Sequence, residues 1–165
     1  MSIFRQMLQP FAHFADFRGR ASRAEYWGFS LLVLLTGLFA IAIELRFALP
    51  RIGLVFGPFT LALALVIFVP GLAVQTRRLH DIGLSGWWAL VMWGPYLASM
   101  LYFSAQPDLG MSMLFDPEWM STLLLFNTLQ ALGGFALFSL LVQRGRRGPN
   151  KYGDDPYQLA EPATA

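Results

Sequence analysis

Charged residues are missing from four long stretches of the chain: Tyr26 to Ile43, Ile52 to Thr76, Ile82 to Pro107 and Trp119 to Gln143. Each is near or above the roughly 20 residues that a helix rising ~1.5 Å per residue needs to cross a hydrocarbon core. The pattern predicts an all-α, polytopic membrane protein with four transmembrane helices, at about residues 23–43, 53–76, 86–104 and 117–143. Ahead of them, Phe4, Met7, Leu8, Phe11 and Ala15 recur at spacings of three and four. That periodicity predicts an N-terminal amphipathic segment lying in the membrane interface, with Pro10 kinking or restarting it. Residues 1–156 then form a single membrane domain, and the small, polar residues 157–165 a loose tail.

Local signals mark the predicted ends. Ser22 followed by Glu25 is a capping box that starts the first span near Arg23. Asp116-Pro117 pairs an N-cap with a first helical residue, and Ser85 is placed to cap the third span. Gly145 and Gly148-Pro149 stop the fourth, while Pro70 and Gly94-Pro95 predict kinks inside the second and third. Ala40-Ile41-Ala42 resembles a signal-peptide cleavage site, but the long basic region before it and the spanning length of the apolar run favour a retained helix.

Charge gives the pattern an orientation. Arg5, Arg18, Arg20, Arg23, Arg77, Arg78, Arg144, Arg146, Arg147 and Lys151 lie on one alternating set of segments, against Arg46 and Arg51 on the other, so ten of the twelve basic residues share a side. Cytoplasmic loops retain Lys and Arg, which puts both termini inside with four crossings. Trp27, Trp87, Trp88 and Trp119 fall near predicted helix ends, as amphipathic rings do at headgroup depth, and Trp93 is left to pack within the bundle. With 56% hydrophobic and 13% charged residues, a chain this short could not hide its apolar surface from water. The basic residues flank spans rather than forming a soluble face, so nucleic acid is not expected as a partner. Cysteine is absent, which removes disulfides, thiolate catalysis and thiolate metal sites together.

Within the spans there is little to carry chemistry. No ionisable residue falls inside one, and Glu44 and Arg46 sit at an outer edge from which they can snorkel to water. Asn127, Gln130 and Gly134, at i, i+3 and i+7, predict interhelical hydrogen bonding and close packing, with a lined substrate pathway as the alternative. Gly53 to Gly57 spells a G-x-x-x-G through which a homo-oligomer could form.

Three inside segments are richer: Phe17 to Trp27, Arg77 to Trp88 and Gly148 to Pro156. His80-Asp81 invites an acid–base reading, yet adjacent residues rarely face each other. The plainer expectation is that Arg77 pairs with Asp81 one turn on and that His80 caps the helix. Two histidines distant in sequence, without a carboxylate cluster at ligand spacing, give no metal site and no cofactor. At Gly19, Arg20, Arg23, Glu25 and Trp27, at Arg78, His80, Asp81, Gly83, Ser85, Gly86 and Trp87, and at Asn150, Tyr152, Gly153 and Pro156, the chain resembles the domain of unknown function 805 family. That resemblance, over about residues 14–156, implies a small bacterial inner-membrane protein and implies no reaction.

The expectation is an integral inner-membrane protein without catalytic residues, whose cytoplasmic face docks an anionic lipid headgroup, a phosphorylated metabolite or a membrane-protein partner. Arg20, Arg23, Arg77, Arg78, His80, Asp81, Asn150 and Lys151 are the expected ligand-binding residues. Membrane lipids are partners in any case. The alternatives are a small membrane enzyme acting on a lipid or polyprenyl phosphate headgroup, with His80 and Asp81 as its acid–base pair, and an oligomeric transporter.

Overall fold

A computed structural model describes residues 3–50, 57–105 and 116–157. Among them the regular structure is helical: α1 (Ile3–Ala12), α2 (Arg23–Arg46), α3 (Pro58–Asp81), α4 (Leu90–Ser104) and α5 (Pro117–Val142), with a 3-10 turn at Gly86–Ala89. The helices α2, α3 and α5 are long and apolar enough to cross a membrane. The chain divides into two compact units, Met1–Leu84 with Arg144–Ala165, and Ser85–Gln143.

In the first unit α2 starts where the capping signal puts it, with the Ser22 hydroxyl accepting from the Glu25 N–H at 3.1 Å. The reciprocal half of the predicted box is not made, because the Glu25 carboxylate turns inward to Arg77. The helix α3 runs to Asp81, five residues beyond the predicted span, since no breaker intervenes before Gly83. The Arg77–Asp81 motif is therefore the last turns of a helix rather than a loop. Ala21, Phe29 and Val74 form a small core, with Phe11, Tyr26, Val33 and Ile67 against it. Through Phe11, whose ring meets Phe29 edge-on at 5.4 Å, α1 is fastened to α2. Phe4 and Leu8 on α1 stay exposed, as do Phe14 and Phe17 after it.

The other end of α2 corrects an expectation. Glu44 does not snorkel: it is 1% exposed, and its carboxylate accepts from the Thr60 N–H at 2.7 Å, so a side chain of α2 caps the start of α3. Free N–H groups at a helix start attract a carboxylate strongly enough to hold it. Of the predicted G-x-x-x-G, all but Gly57 lies outside the described residues.

The second unit pairs α4 with α5. Tyr102, Phe103, Trp119 and Phe126 form an aromatic cluster with centroid separations of 5.3 to 5.9 Å. Asp116 caps α5 as expected, accepting from the Glu118 N–H at 2.9 Å. Trp93 packs edge-on against Tyr96. The Asn127 amide donates to the Leu123 carbonyl of its own helix at 2.8 Å. Thr36, Ser99, Thr122 and Ser139 likewise bond back to carbonyls three or four residues earlier. A polar side chain on an apolar helix satisfies itself locally when its surroundings offer no donor or acceptor.

Candidate functional site

The charged motifs of the first unit close on one another. Gly19 to Ser22 runs beside the last turn of α3, held there by the Ala21 N–H donating to the Arg77 carbonyl at 3.0 Å. From this arm Arg20 reaches the end of α3, where its Nε and Nη2 lie 3.0 and 2.8 Å from Asp81 Oδ1. Asp81 Oδ2 accepts from Arg78 Nη1. The carboxylate thus sits between two arginines, and the side chains of Arg78 and Asp81 have no exposure to solvent. Such burial is tolerable only because each charge meets its opposite and the remaining donors are filled.

The tail supplies the remaining acceptors. Arg20 Nη1 donates to the Gly148 carbonyl at 2.6 Å and Nη2 to that of Arg146, while the Arg146 N–H donates to the Asp81 carbonyl at 3.0 Å. A planar fork with five donors can serve a carboxylate and two carbonyls at once, which a lysine ammonium cannot. Gly145 is needed for this approach, because a Cβ there would fall 2.0 Å from Asp81 Oδ2. Gly83 is needed for the turn that ends α3, at φ +85°, where the Arg146 guanidinium also occupies the space of a side chain.

Beyond Gly148 the tail folds into a tight turn, with Asn150 and Gly153 exchanging backbone hydrogen bonds at 3.0 Å. The Asn150 amide donates to the His80 carbonyl at 3.0 Å, and Tyr152 stacks on the His80 ring at 3.8 Å. On the ring's inner side His80 Nδ1 lies 3.1 Å from the Gly19 carbonyl. Lys151 Nζ sits over the Tyr152 ring, 4.9 Å from its centroid. Asp155 closes the turn: its carboxylate accepts from the N–H groups of Tyr157 and Gly148 at 3.0 and 2.9 Å, with Arg20 Nη2 4.0 Å away. These backbone bonds, helped by Arg20, hold the carboxyl below its ordinary range.

Of the eight residues predicted to bind a ligand, five are gathered here: Arg20, Arg78, His80, Asp81 and Asn150, each engaged by protein groups. Arg77 faces the other way and meets Glu25, Nη2 to Oε1 at 3.0 Å, rather than Asp81 as expected. The partner at Asp81 is Arg78, three residues back, where the two residues share a helix face as readily as at four. Arg23 and Lys151 remain exposed, the former giving its backbone N–H to the Tyr157 hydroxyl at 3.1 Å. His80 and Asp81 turn to separate partners, so the acid–base pair of the enzyme alternative is not assembled in this arrangement. The Asp155 turn, the close approach of Gly145 to Asp81 and the Glu25–Arg77 pair carry no expectation from the sequence, which reads Gly145 only as a helix stop. Asp155 had a signal: a carboxylate inside a basic tail, two residues after Gly153, is placed for an Asx-type turn.

Comparison with known proteins takes in the first two motifs whole and the third as far as Asp154. The model of the family described as protein of unknown function DUF805 matches residues 14–154. The inner membrane protein YhaI of Escherichia coli K12 is 29% identical over 149 residues, covering 90% of this chain and 92% of YhaI. The inner membrane protein YhaH of the same strain is 34% identical over 113 residues, covering 67% of this chain and 93% of YhaH. No solved structure matches the chain significantly.

Proposed function

The chain belongs to the DUF805 family of proteins of unknown function, and from that premise we propose an inner-membrane protein of four crossings whose cytoplasmic face docks an anionic partner without catalysis of its own. The number of crossings has support in the charged cluster. The Arg146 N–H donates to the Asp81 carbonyl, so the chain must cross an even number of times between those residues. With α5 as one crossing, α4 is the other. Fifteen α-helical residues rise ~22 Å and a four-residue 3-10 turn ~8 Å, together about the 30 Å of a hydrocarbon core. The Ala21–Arg77 bond sets the same condition for α2 and α3. Ten of twelve basic residues in the sequence belong to the segments at this end, which supports a cytoplasmic placement of it and of both termini.

The observation that carries the docking reading is the division of labour among the basic residues. Arg20 and Arg78 are held inside by Asp81 and Asp155 and act as a frame, while Arg77 pairs with Glu25. Arg23, Arg146, Arg147 and Lys151 stay exposed around it, and Gly83, Pro149 and Asn150 complete an open, basic depression with the last three. Charges that only set topology need no such fixed mounting. An anionic headgroup or phosphorylated group is the partner that this surface suits.

The test is lipid selectivity. The full chain in nanodiscs of phosphatidylcholine with a minority of phosphatidylglycerol should retain phosphatidylglycerol preferentially in native mass spectrometry. Neutralising Arg146, Arg147 and Lys151 together should remove the preference at unchanged stability. Equal retention of both lipids by the wild type would overturn the reading.

A further inference from the structure

A cavity of about 310 Å³ in the first unit lies apart from the basic depression, walled by Gln6, Gln9 and His13 on one side and by Arg18, Glu25 and Arg77 on the other. Its volume is at the lower end for small-molecule sites, of headgroup rather than whole-lipid size. The Arg77 and Glu25 side chains are 5% and 7% exposed, yet their mutual contact at 3.0 Å misses hydrogen-bonding geometry. Arg77 Nη2 and Glu25 Oε1 keep only that charge contact, and Arg77 Nε has no hydrogen-bond partner. Arg20 and Asp81, equally buried, are fully engaged. Buried polar groups left in this state are rare and costly, so a pair of them on a cavity wall asks for a completing group.

What is missing is both an acceptor, for the arginine, and a donor, for the glutamate. The wall is electrically balanced as well: Arg18 and Arg77 stand against Glu25 and Asp16, while Arg20, also at the wall, and Arg78 behind it are matched by Asp81 and Asp155. A bare anion would gain Arg77 and meet Glu25; a bare cation would do the reverse. We infer that the cavity takes a compact zwitterion, an oxyanion joined to a protonated amine, as in a phosphoethanolamine group. The oxyanion lies against Arg77 and Arg18, and the ammonium against Glu25. Gln6 and Gln9, one turn apart on α1, supply amides that donate and accept. The inference rests on the docking reading for its setting and extends it to a second ligand, since the exposed depression selects net negative charge and this cavity selects none.

Phosphoethanolamine can arrive free or as a lipid headgroup, and α1, with Phe4 and Leu8 exposed, is suited to interface depth. Titration calorimetry on the detergent-purified full chain would use free glycerophosphoethanolamine, a phosphodiester of zero net charge like the lipid headgroup, with glycerol 3-phosphate and ethanolamine. Native mass spectrometry on nanodiscs would compare phosphatidylethanolamine with phosphatidylglycerol. The expected result is preference for the zwitterion over the anion or the amine alone, in the free arm, the lipid arm or both; the responding arm identifies the source. Glu25→Gln should cost about tenfold in that binding, as loss of one charged contact does. Because Glu25→Gln could fail to fold, Gln9→Leu, on the α1 wall and outside the ion pair, should do the same. Zwitterion binding unchanged in Gln9→Leu, equal binding of glycerol 3-phosphate, or no zwitterion binding in either arm would overturn the inference. Phosphatidylglycerol retention that depends on Arg146, Arg147 and Lys151 would survive any of those results, so the two readings fail separately.

Discussion

The first half of α3, Pro58 to Val69, turns Phe59, Leu65, Val66 and Phe68 outward, whereas the second half, Pro70 to Asp81, buries Ala73, Val74, Gln75 and every residue from Arg77 to Asp81. In a water-soluble helix the apolar side chains would be inside and the charged ones outside. The inversion follows from two solvents acting on one helix. Hydrocarbon accepts leucine and phenylalanine at no cost, so the first half needs few contacts. The charged half ends where no lipid tail can solvate it, and the arm at Gly19 to Ser22 and the tail at Arg146 to Asp155 become its solvent.

If that contrast is right, substitutions in the two halves should differ sharply. Asp81→Asn leaves Arg20 and Arg78 buried without their carboxylate, and should cost about 3–5 kcal/mol, the penalty for breaking one partner from a buried ion pair. Thermal unfolding in detergent would read it. Next comes Arg20→Lys, which keeps the charge but cannot serve Asp81, Gly148 and Arg146 together. A loss of about 1.5–3 kcal/mol is expected, with protease cutting after Arg146 appearing before global unfolding. Gly145→Ala puts a methyl into the Asp81 carboxylate and should cost about 1–3 kcal/mol, again with tail release first.

Asp155 offers a pH handle. Its folded pKa is lowered from the ordinary 3.8 by the Tyr157 and Gly148 N–H groups and Arg20. A depressed carboxylate contributes stability that is present above its unfolded pKa and lost as pH falls through the folded one. The stability difference between wild type and Asp155→Asn should therefore stay constant from neutral pH to somewhat above 3.8, then shrink below it. A difference that instead grew on acidification would contradict the assignment. Smallest of all, Leu65→Ala in the outward half should stay within about 0.5 kcal/mol, because it removes no protein contact of consequence.

The sequence made these halves unequally legible. Apolar runs announce spans, because partition into hydrocarbon depends on composition more than on partners, and α2 and α5 start where they are expected while α3 ends five residues late. The caps at Ser22 and Asp116 were equally local and equally readable. The cluster was visible only as motifs. Arg20 and Asp81 are 61 residues apart, and the Gly148 carbonyl that Arg20 meets is 128 away, so no periodicity links them. Counting arginines by side explains their topology and is silent on which are neutralised within. Arg78 rather than Arg77 meets Asp81 for a related reason: both spacings suit a helix, and Glu25 on α2 takes Arg77. Glu44 escapes the rule for helix edges, which assumes water as the competitor, because a neighbouring helix start competes better here.

Hydrogen exchange on the full chain in nanodiscs tests the central claim most directly, that arm, helix end and tail form one closed unit. The amides of Ala21, Arg146, Gly148 and Gly153 lie outside the helices and are each bonded across this cluster or within the folded tail. They should exchange slowly, and in Asp81→Asn they should lose protection together while amides in the body of α2 keep theirs. Exchange of the four at unstructured rates in the wild type would mean that the arm and tail are not part of the fold, and the account would be wrong.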